Sequence, residues 1–348
     1  MKIIEAVFIK KPLLGQTQSE LEKLTNELGI PSYAARQIAD WLYKKRIQTI
    51  DAMTNLSLKV REKLKENYVI GRMDYSCVHS SGDGTRKYLF PVSGDKFVET
   101  VYIPDKERAT VCVSSQVGCK MNCLFCMTGK QKFVSQLSSC EIMNQILSLP
   151  ECEQLTNFVF MGMGEPLDNE SELFKALEIM TADYGLNLSP KRITVSTVGI
   201  LPKLKRLLDE THCHIAVSLH SPYHEERLSL VPVEKTYLAE KIIKLIKQYD
   251  FSHQRRISFE YILFGGLNDD RRHARDLVHF LSGIPCRVNL IKYHPISGVD
   301  LPETNIENMI PFRDYLSSQG IISTIRSSRG EDISAACGML STSMSYEL

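Results

Sequence analysis

The sequence predicts an α/β protein: an open, partial (β/α)6 barrel with a small N-terminal helical domain and a β-hairpin extension. Three observations predict it. From residue 109 onward, six short β-branched runs alternate with six helical patterns, as expected for parallel strands covered by helices. Residues 1–75 carry helical periodicity without strand-like runs, and residues 76–108 switch to turn-separated β patterns. Six units are too few to close an eight-stranded barrel, so the sheet is expected to stay open.

In the first domain, Ser19-Glu20-Leu21-Glu22 reads as a capping box. The helix it starts has Leu21, Leu24 and Leu28 on one face and ends at Gly29 and Pro31. Ser32 to Lys45 reads as a second helix, with Ala35, Ile38, Ala39 and Leu42 inward and the sole Trp, Trp41, nearby. A third covers about Leu58 to Tyr68, with Lys59, Arg61, Lys63 and Lys65 mostly outward. Residues 1–74 hold thirteen Lys/Arg against nine Asp/Glu in a chain whose net charge is +1. The basic edge is either a phosphate-contacting surface or an ordinary solvated face.

Ser81-Gly82-Asp83-Gly84 is turn chemistry, and Lys87–Phe90 with Phe97–Ile103 reads as a hairpin joined by Ser93-Gly94-Asp95. Glu99, between Val98 and Thr100, reads as an outward strand carboxylate. The barrel core, 109–300, has strand-like runs at Ala109–Val113, Asn157–Met161, Arg192–Ser196, His214–Ser218, Ile257–Leu263 and Arg287–Lys292. Helical patterns fall at about Ser138–Leu149, Glu170–Tyr184, Leu201–Asp209, Ala239–Tyr249, Arg271–Leu281 and Ile306–Ser318, and Ser138-Ser139-Cys140-Glu141 is a second capping box. Residues 301–348 form a C-terminal helix and strand followed by a loop around Cys337.

The loop after the first barrel strand carries the chemistry. Cys119, Cys123 and Cys126 are spaced C-x3-C-x2-C, with Cys112 seven residues upstream. Soft thiolates this close together can converge on a metal centre. Three of them on a four-iron cluster leave one iron open to a small molecule. A structural zinc with Cys112, Cys140 or a distant His as fourth ligand is the other reading. The second strand ends in Gly162-Met163-Gly164-Glu165-Pro166, where glycines permit close backbone approach and Glu165 is placed to accept from a ligand ammonium. Ser196, Ser218 and His220 end the next two strands and face the same mouth, offering groups suited to a nucleoside ligand. Cys337, set between Ala335-Ala336 and Gly338, is unhindered; the alternative is a small buried core residue.

Composition bounds the setting. With 43% apolar and 24% charged residues, the 348-residue chain reads as a soluble globular protein. No apolar run approaches the roughly 20 residues of a spanning helix, and Met1–Lys11 lacks a leader's apolar region. Ten cysteines without a secretion signal point to a reducing compartment, so a cytoplasmic location and no membrane partner are expected.

Together, Cys119-x3-Cys123-x2-Cys126, Gly162-Met163-Gly164-Glu165-Pro166, Val217-Ser218-Leu219-His220 and Gly330-Glu331-Asp332-Ile333-x-Ala335-Ala336-Cys337-Gly338 resemble the RlmN/Cfr family of radical S-adenosylmethionine (SAM) RNA adenine methyltransferases. The resemblance covers nearly the whole chain. It implies a radical-SAM partial barrel with a [4Fe–4S] cluster on Cys119, Cys123 and Cys126, and SAM contacts at Gly164, Glu165, Ser196, Ser218, Leu219 and His220. It also implies a methyl-carrying Cys337, a resolving Cys112 and a proton-accepting Glu99. His294 stands where the family mostly has Asn for a further SAM contact, and Lys132 where a Gly often precedes Phe133.

The implied reaction uses two SAM per turnover. One methylates Cys337; the second yields a 5′-deoxyadenosyl radical that takes hydrogen from the S-methyl group. The methylene radical adds to C2 of an adenine, Glu99 takes the ring proton, and Cys112 attacks sulfur to give a Cys112–Cys337 disulfide. The implied substrates are adenosine 2503 of 23S rRNA and adenosine 37 of tRNAs, with an electron donor such as flavodoxin or ferredoxin. Pro166 resembles the C2 branch of the family; the C8 branch tends to have Ala there. The alternatives are a C8 methyltransferase, a zinc-stabilised RNA-binding module without catalysis, and a radical-SAM thiolation or maturation enzyme, which would not need Cys337.

Overall fold

A computed structural model describes residues 10–251 and 256–342; the N-terminal stretch read above for a leader lies largely outside them. The first domain is tied at its base by a parallel pair, β1 (Lys11–Pro12) with β2 (Tyr68–Val69). Its helices are Gln18–Glu27, Tyr33–Ala39, which runs on as a π-helical turn Asp40–Lys44, and Leu58–Asn67. The first helix starts two residues before the expected box. Thr17 accepts from Glu20 N–H and its own N–H donates to the Glu20 carboxylate at 2.9 Å. Thr-x-x-Glu satisfies the capping geometry that Ser-x-x-Glu was expected to supply, because the helix begins where the chain leaves extended backbone at Thr17. Leu21, Leu24, Ala35, Ile38, Ala39 and Leu42 are buried as expected.

The basic face of the third helix is largely used within the domain. Lys65 pairs with Asp51 and Glu62, both at 2.8 Å. Arg61 donates to Asp51 O at 2.8 Å and Lys63 to Leu28 O at 3.0 Å.

The rest of the chain is organised by one ten-stranded sheet. β3 (Cys77–Ser80), β4 (Arg86–Val92), β5 (Lys96–Asp105) and β6 (Arg108–Cys112) run antiparallel to one another. A short pair, β7 (Gln116–Val117) with β8 (Ser135–Gln136), brackets the cysteine loop. From β6 the sheet continues in parallel through β9 (Asn157–Phe160), β10 (Ile193–Thr197), β11 (His214–Ser218), β12 (Ile257–Leu263) and β13 (Cys286–Lys292). The six expected strands are therefore all present. A seventh parallel strand, β14 (Ile322–Ile325), lies beyond β13 and extends the barrel past six units. The expected hairpin is β4 and β5. Because β5 pairs with β6 (Val101 opposite Cys112), it is continuous with the barrel sheet.

Helices Ser139–Leu147, Glu170–Thr181, Leu201–Glu210, Ala239–Ile246 and Arg271–Phe280 separate the parallel strands, and Ile306–Ser318 precedes β14. The Ser138/Glu141 capping box forms as read. No helix among the described residues is long and apolar enough to cross a membrane.

Candidate active site at the strand ends

The C-terminal ends of the parallel strands open into one pocket. Its walls include Cys119, Cys123, Phe125 and Cys126 from the loop after β6, Met161, Gly162, Gly164, Glu165 and Pro166 after β9, Ser196 to Val198 at the end of β10, Ser218 at the end of β11 with His220 beyond it, and Ile262 and Ile291 on β12 and β13. Arg326, just past β14, and Cys337 complete it.

Close packing explains the two glycines after β9. A Cβ on Gly162 would sit 2.6 Å from Ser114 Oγ, and one on Gly164, at φ +97°, would sit 2.8 Å from Gln116 N. The backbone here lies against the segment that leads to the cysteines. Ser114 fastens the two: its hydroxyl accepts from Met163 N–H at 2.8 Å and donates to Glu99 O at 2.6 Å. The buried Gln145 carboxamide accepts from Ser114 N–H (2.8 Å) and donates to Ser114 O (3.0 Å).

The three loop thiols are desolvated. Burial pushes the Cys119 thiol up to about 12, and raises Cys123 and Cys126, with the other thiols adding to the effect. A bound cationic centre would reverse that shift by stabilising thiolates. Cys119, Cys123 and Cys126 line one pocket wall. Three soft thiolate donors there fit a four-iron cluster in which three irons each take one thiolate and the fourth has no protein ligand.

Glu165 is buried and accepts from Leu167 N–H (3.1 Å) and Val198 N–H (2.9 Å), yet burial still pushes it up to about 7. A carboxylate held this way is unsatisfied in charge and suits a ligand ammonium. His220 has left-handed backbone, φ +64°, a costly conformation for a non-glycine residue. The strain is held by Ile262 N–H donating to His220 Nδ1 (3.1 Å) and by Asn268 donating to His220 O (2.8 Å). The bond at Nδ1 leaves the neutral ring's proton on Nε2. Burial, and next the Arg227 charge, push His220 down to about 3.

Arg227 and Glu234 form a fully buried pair beneath these strand ends. The guanidinium also donates to Val198 O (2.9 Å), Ser218 O (3.0 Å) and Leu219 O (3.1 Å), tying β10 to β11.

Cys337 is exposed, unlike the other pocket cysteines. Its loop docks on the turn after the cysteine triad: Met127 N–H donates to Gly338 O at 2.8 Å and Thr128 Oγ1 to Leu340 O at 2.7 Å. Cys112, the last residue of β6, is buried outside the pocket lining and within electrostatic reach of Cys337. Burial pushes its thiol up to about 12, with Cys337 adding and Arg326 opposing.

Of the candidate residues, Cys119, Cys123, Cys126, Gly164, Glu165, Ser196, Ser218, His220 and Cys337 share one pocket. Leu219 is buried and does not line it. His294 does not line it either: its ring takes Ser328 Oγ at 2.9 Å and the Glu331 carboxylate at 2.6 Å, which ties β13 to the Cys337 loop. Glu99 corrects the outward reading. It is 0% exposed, pairs with Lys87 at 2.9 Å and accepts from Ser341 N–H at 2.8 Å. It lies outside the pocket lining, because β5 is covered on both faces.

Sequence reasoning missed Glu260, Arg326 and Arg227. A lone carboxylate inside the apolar run Ile257–Leu263 was the available signal for the first; nothing local marked the others.

Two family models match the chain: the radical SAM superfamily over residues 113–278, whose membership implies a [4Fe–4S] cluster and SAM, and the ribosomal RNA large subunit methyltransferase N-terminal domain over residues 11–70. A probable dual-specificity RNA methyltransferase RlmN from Parabacteroides distasonis is 60% identical over 333 residues, 96% of this chain and 97% of that protein. The dual-specificity RNA methyltransferase RlmN of Marinobacter nauticus is 38% identical, covering 95% and 92%. The crystal structure of a radical SAM methyltransferase from Sphaerobacter thermophilus superposes with a TM-score of 0.89 at 37% identity, covering 95% of this chain and 99% of that one. With its barrel, its cysteine loop and its N-terminal domain all matched at this level, the chain belongs to the RlmN family of the radical SAM superfamily.

Proposed function

We propose that the chain is an RNA methyltransferase that places a methyl group on C2 of an adenine, in 23S rRNA and in tRNA, through a carbon carried on Cys337. One observation carries the reading: an exposed thiol, Cys337, shares a pocket with three less exposed thiols, Cys119, Cys123 and Cys126, while Cys112 lies buried within its electrostatic reach. When bound, the cluster on Cys119, Cys123 and Cys126 and two SAM molecules per turnover would supply the methyl group and the radical chemistry.

The chain's own residues do the rest. Glu165 would take the ammonium of SAM, and Ser196, Ser218 and His220 would offer polar groups to its nucleoside. His294 acts at one remove by holding the Cys337 loop. Adenine C2 is electron-poor and does not attack an electrophilic methyl group, so the carbon is delivered from sulfur as a radical. Glu99, paired with Lys87, takes the ring proton once substrate replaces the Ser341 contact, and the adduct's unpaired electron would return to the redox centre that the three thiols would hold. The Cys112 thiolate then attacks Cys337 sulfur; the carbon–sulfur bond breaks with its electron pair on the methylene carbon, which takes a proton to become the methyl group, and a Cys112–Cys337 disulfide remains. Arg326, whose charge faces both thiols, favours the thiolate that this step needs. Pro166, at the pocket wall, favours C2 over C8.

The test is turnover with SAM carrying a deuterated methyl group and an RNA fragment, read by mass spectrometry of the nucleosides. A C2-methyl adenosine retaining two of three deuteriums is expected. Retention of all three, or a C8 product, contradicts the reading.

A further inference from the structure

The strands that build the pocket leave a second opening at their N-terminal ends. Alternate residues of a strand face one side. The face that carries Ser196 and Ser218 at the pocket therefore carries Thr194 and His214 lower down, and these line a second cavity. The lumen of a closed barrel is filled by branched apolar side chains; this one is polar, and its rim is basic. Arg108, Lys191 and Arg256 are exposed and Arg287 half-buried around it.

Among the described residues, cations outnumber carboxylates at this rim. Among the described residues, neither Lys191, Arg256 nor Arg287 pairs with a carboxylate, and Arg108 reaches only the exposed Asp105 at 3.3 Å. Arg256 N–H donates to His214 Nδ1 at 3.0 Å, and its guanidinium lies 3.3 Å from Nε2. The one lining carboxylate, Glu260, is held by Asn289 (2.7 Å) and Arg326 (3.4 Å). Desolvation, then the charges of Arg287 and Arg108, lower the Arg256 pKa, so these guanidinium groups are close enough to repel. Converging cations that outnumber the acids beside them suit a polyanion.

The two cavities meet. Met161, Glu260 and Arg326 line both. The opposite side of the pocket is closed by the docking of the Cys337 loop on the turn after the cysteine triad. The basic face of the third N-terminal helix is mostly engaged internally, so it is a weaker phosphate surface than this rim.

We infer that the substrate RNA lies across the N-terminal mouth of the barrel, its phosphates held by Arg108, Lys191, Arg256 and Arg287, and that the target base enters the pocket past Met161, Glu260 and Arg326. The inference rests on RNA being the substrate. Binding then depends on salt, because each phosphate neutralised releases condensed counterions.

The experiment measures binding of a fluorescent RNA hairpin with an adenine in its loop to anaerobically reconstituted holoenzyme across a range of KCl concentrations. Wild type, Arg256→Gln, Arg287→Gln, their double variant, Arg256→Lys and the helix-face control Lys59→Gln are compared. Each Gln variant is expected to bind several-fold more weakly and to lose about 0.7 from the log–log salt slope for each phosphate contact removed. Arg256→Lys and Lys59→Gln should keep the slope, and iron content and SAM affinity should not change. A double variant with wild-type affinity and slope overturns this inference alone. A wild-type enzyme with no salt-dependent RNA binding overturns it together with the RNA methyltransferase reading.

Discussion

Two segments bring sulfur to the pocket, and they are built in opposite ways. The cysteine-triad loop is fixed from behind by buried polar groups: Ser114 and Gln145 clamp its approach, and Asn169 donates to Ser115 O (2.9 Å) and Leu137 O (2.7 Å). The Cys337 loop follows an edge strand, passes through left-handed residues at Gly330, Ser334 and Gly338, and leaves its thiol exposed. A ligand that must hold a cluster in one place needs over-determined backbone. A thiol that must accept a carbon, meet a base and then meet Cys112 needs a site where its environment can change.

Removing the exposed sulfur should separate chemistry from architecture most sharply. Cys337→Ala should lower methyl transfer by about 10³-fold or more, while iron content and Tm stay at wild-type values, since the side chain is exposed. Loss of iron in that variant would erase the distinction between the two loops.

Breaking the fixed side should act on stability first. Glu234→Gln strands the Arg227 charge beneath β10 and β11 and should cost about 3–5 kcal/mol, measured by chemical denaturation of holoenzyme. A change below 1 kcal/mol would mean that the strand ends are not held from below.

The same side should carry an acid sensitivity. The folded His220 pKa, about 3, lies below its ordinary value of 6.5. The neutral ring's contribution is therefore complete above pH 6.5 and is lost as pH falls from 6.5 toward 3. Between pH 7.5 and 5 this amounts to about 2 kcal/mol. His220→Asn should show a correspondingly flatter stability profile over that interval.

The smallest effect belongs to the Cys337 loop. Ser334 is held at φ +53°, so Ser334→Gly should stabilise the fold by up to about 1 kcal/mol. A destabilised variant would mean that the serine side chain, rather than its backbone, shapes the loop.

Much of this was legible beforehand. Strands His214–Ser218 and Ile257–Leu263 fall on their expected residues because both are buried, β-branched runs. The C-terminal strand was expected without bounds, because an edge strand is covered on one side only and Ile322-Ser323-Thr324-Ile325 has no apolar run. Glu99 was misplaced because period-two reading names a face without saying what covers it. His294 was read as a ligand contact, but its ring is taken by a loop more than thirty residues away in the chain.

By itself the sequence determined what is local and covalent: thiol spacing, strand and helix periods, and the glycines that let backbone pack on backbone. Tertiary structure decided which thiol is exposed and which is sealed, that Arg227 and Glu234 are buried together, and that four cations ring the far end of the barrel. Burial and electrostatic field are sums over atoms distant in the chain, so those properties exist only once the sheet has brought its strands side by side.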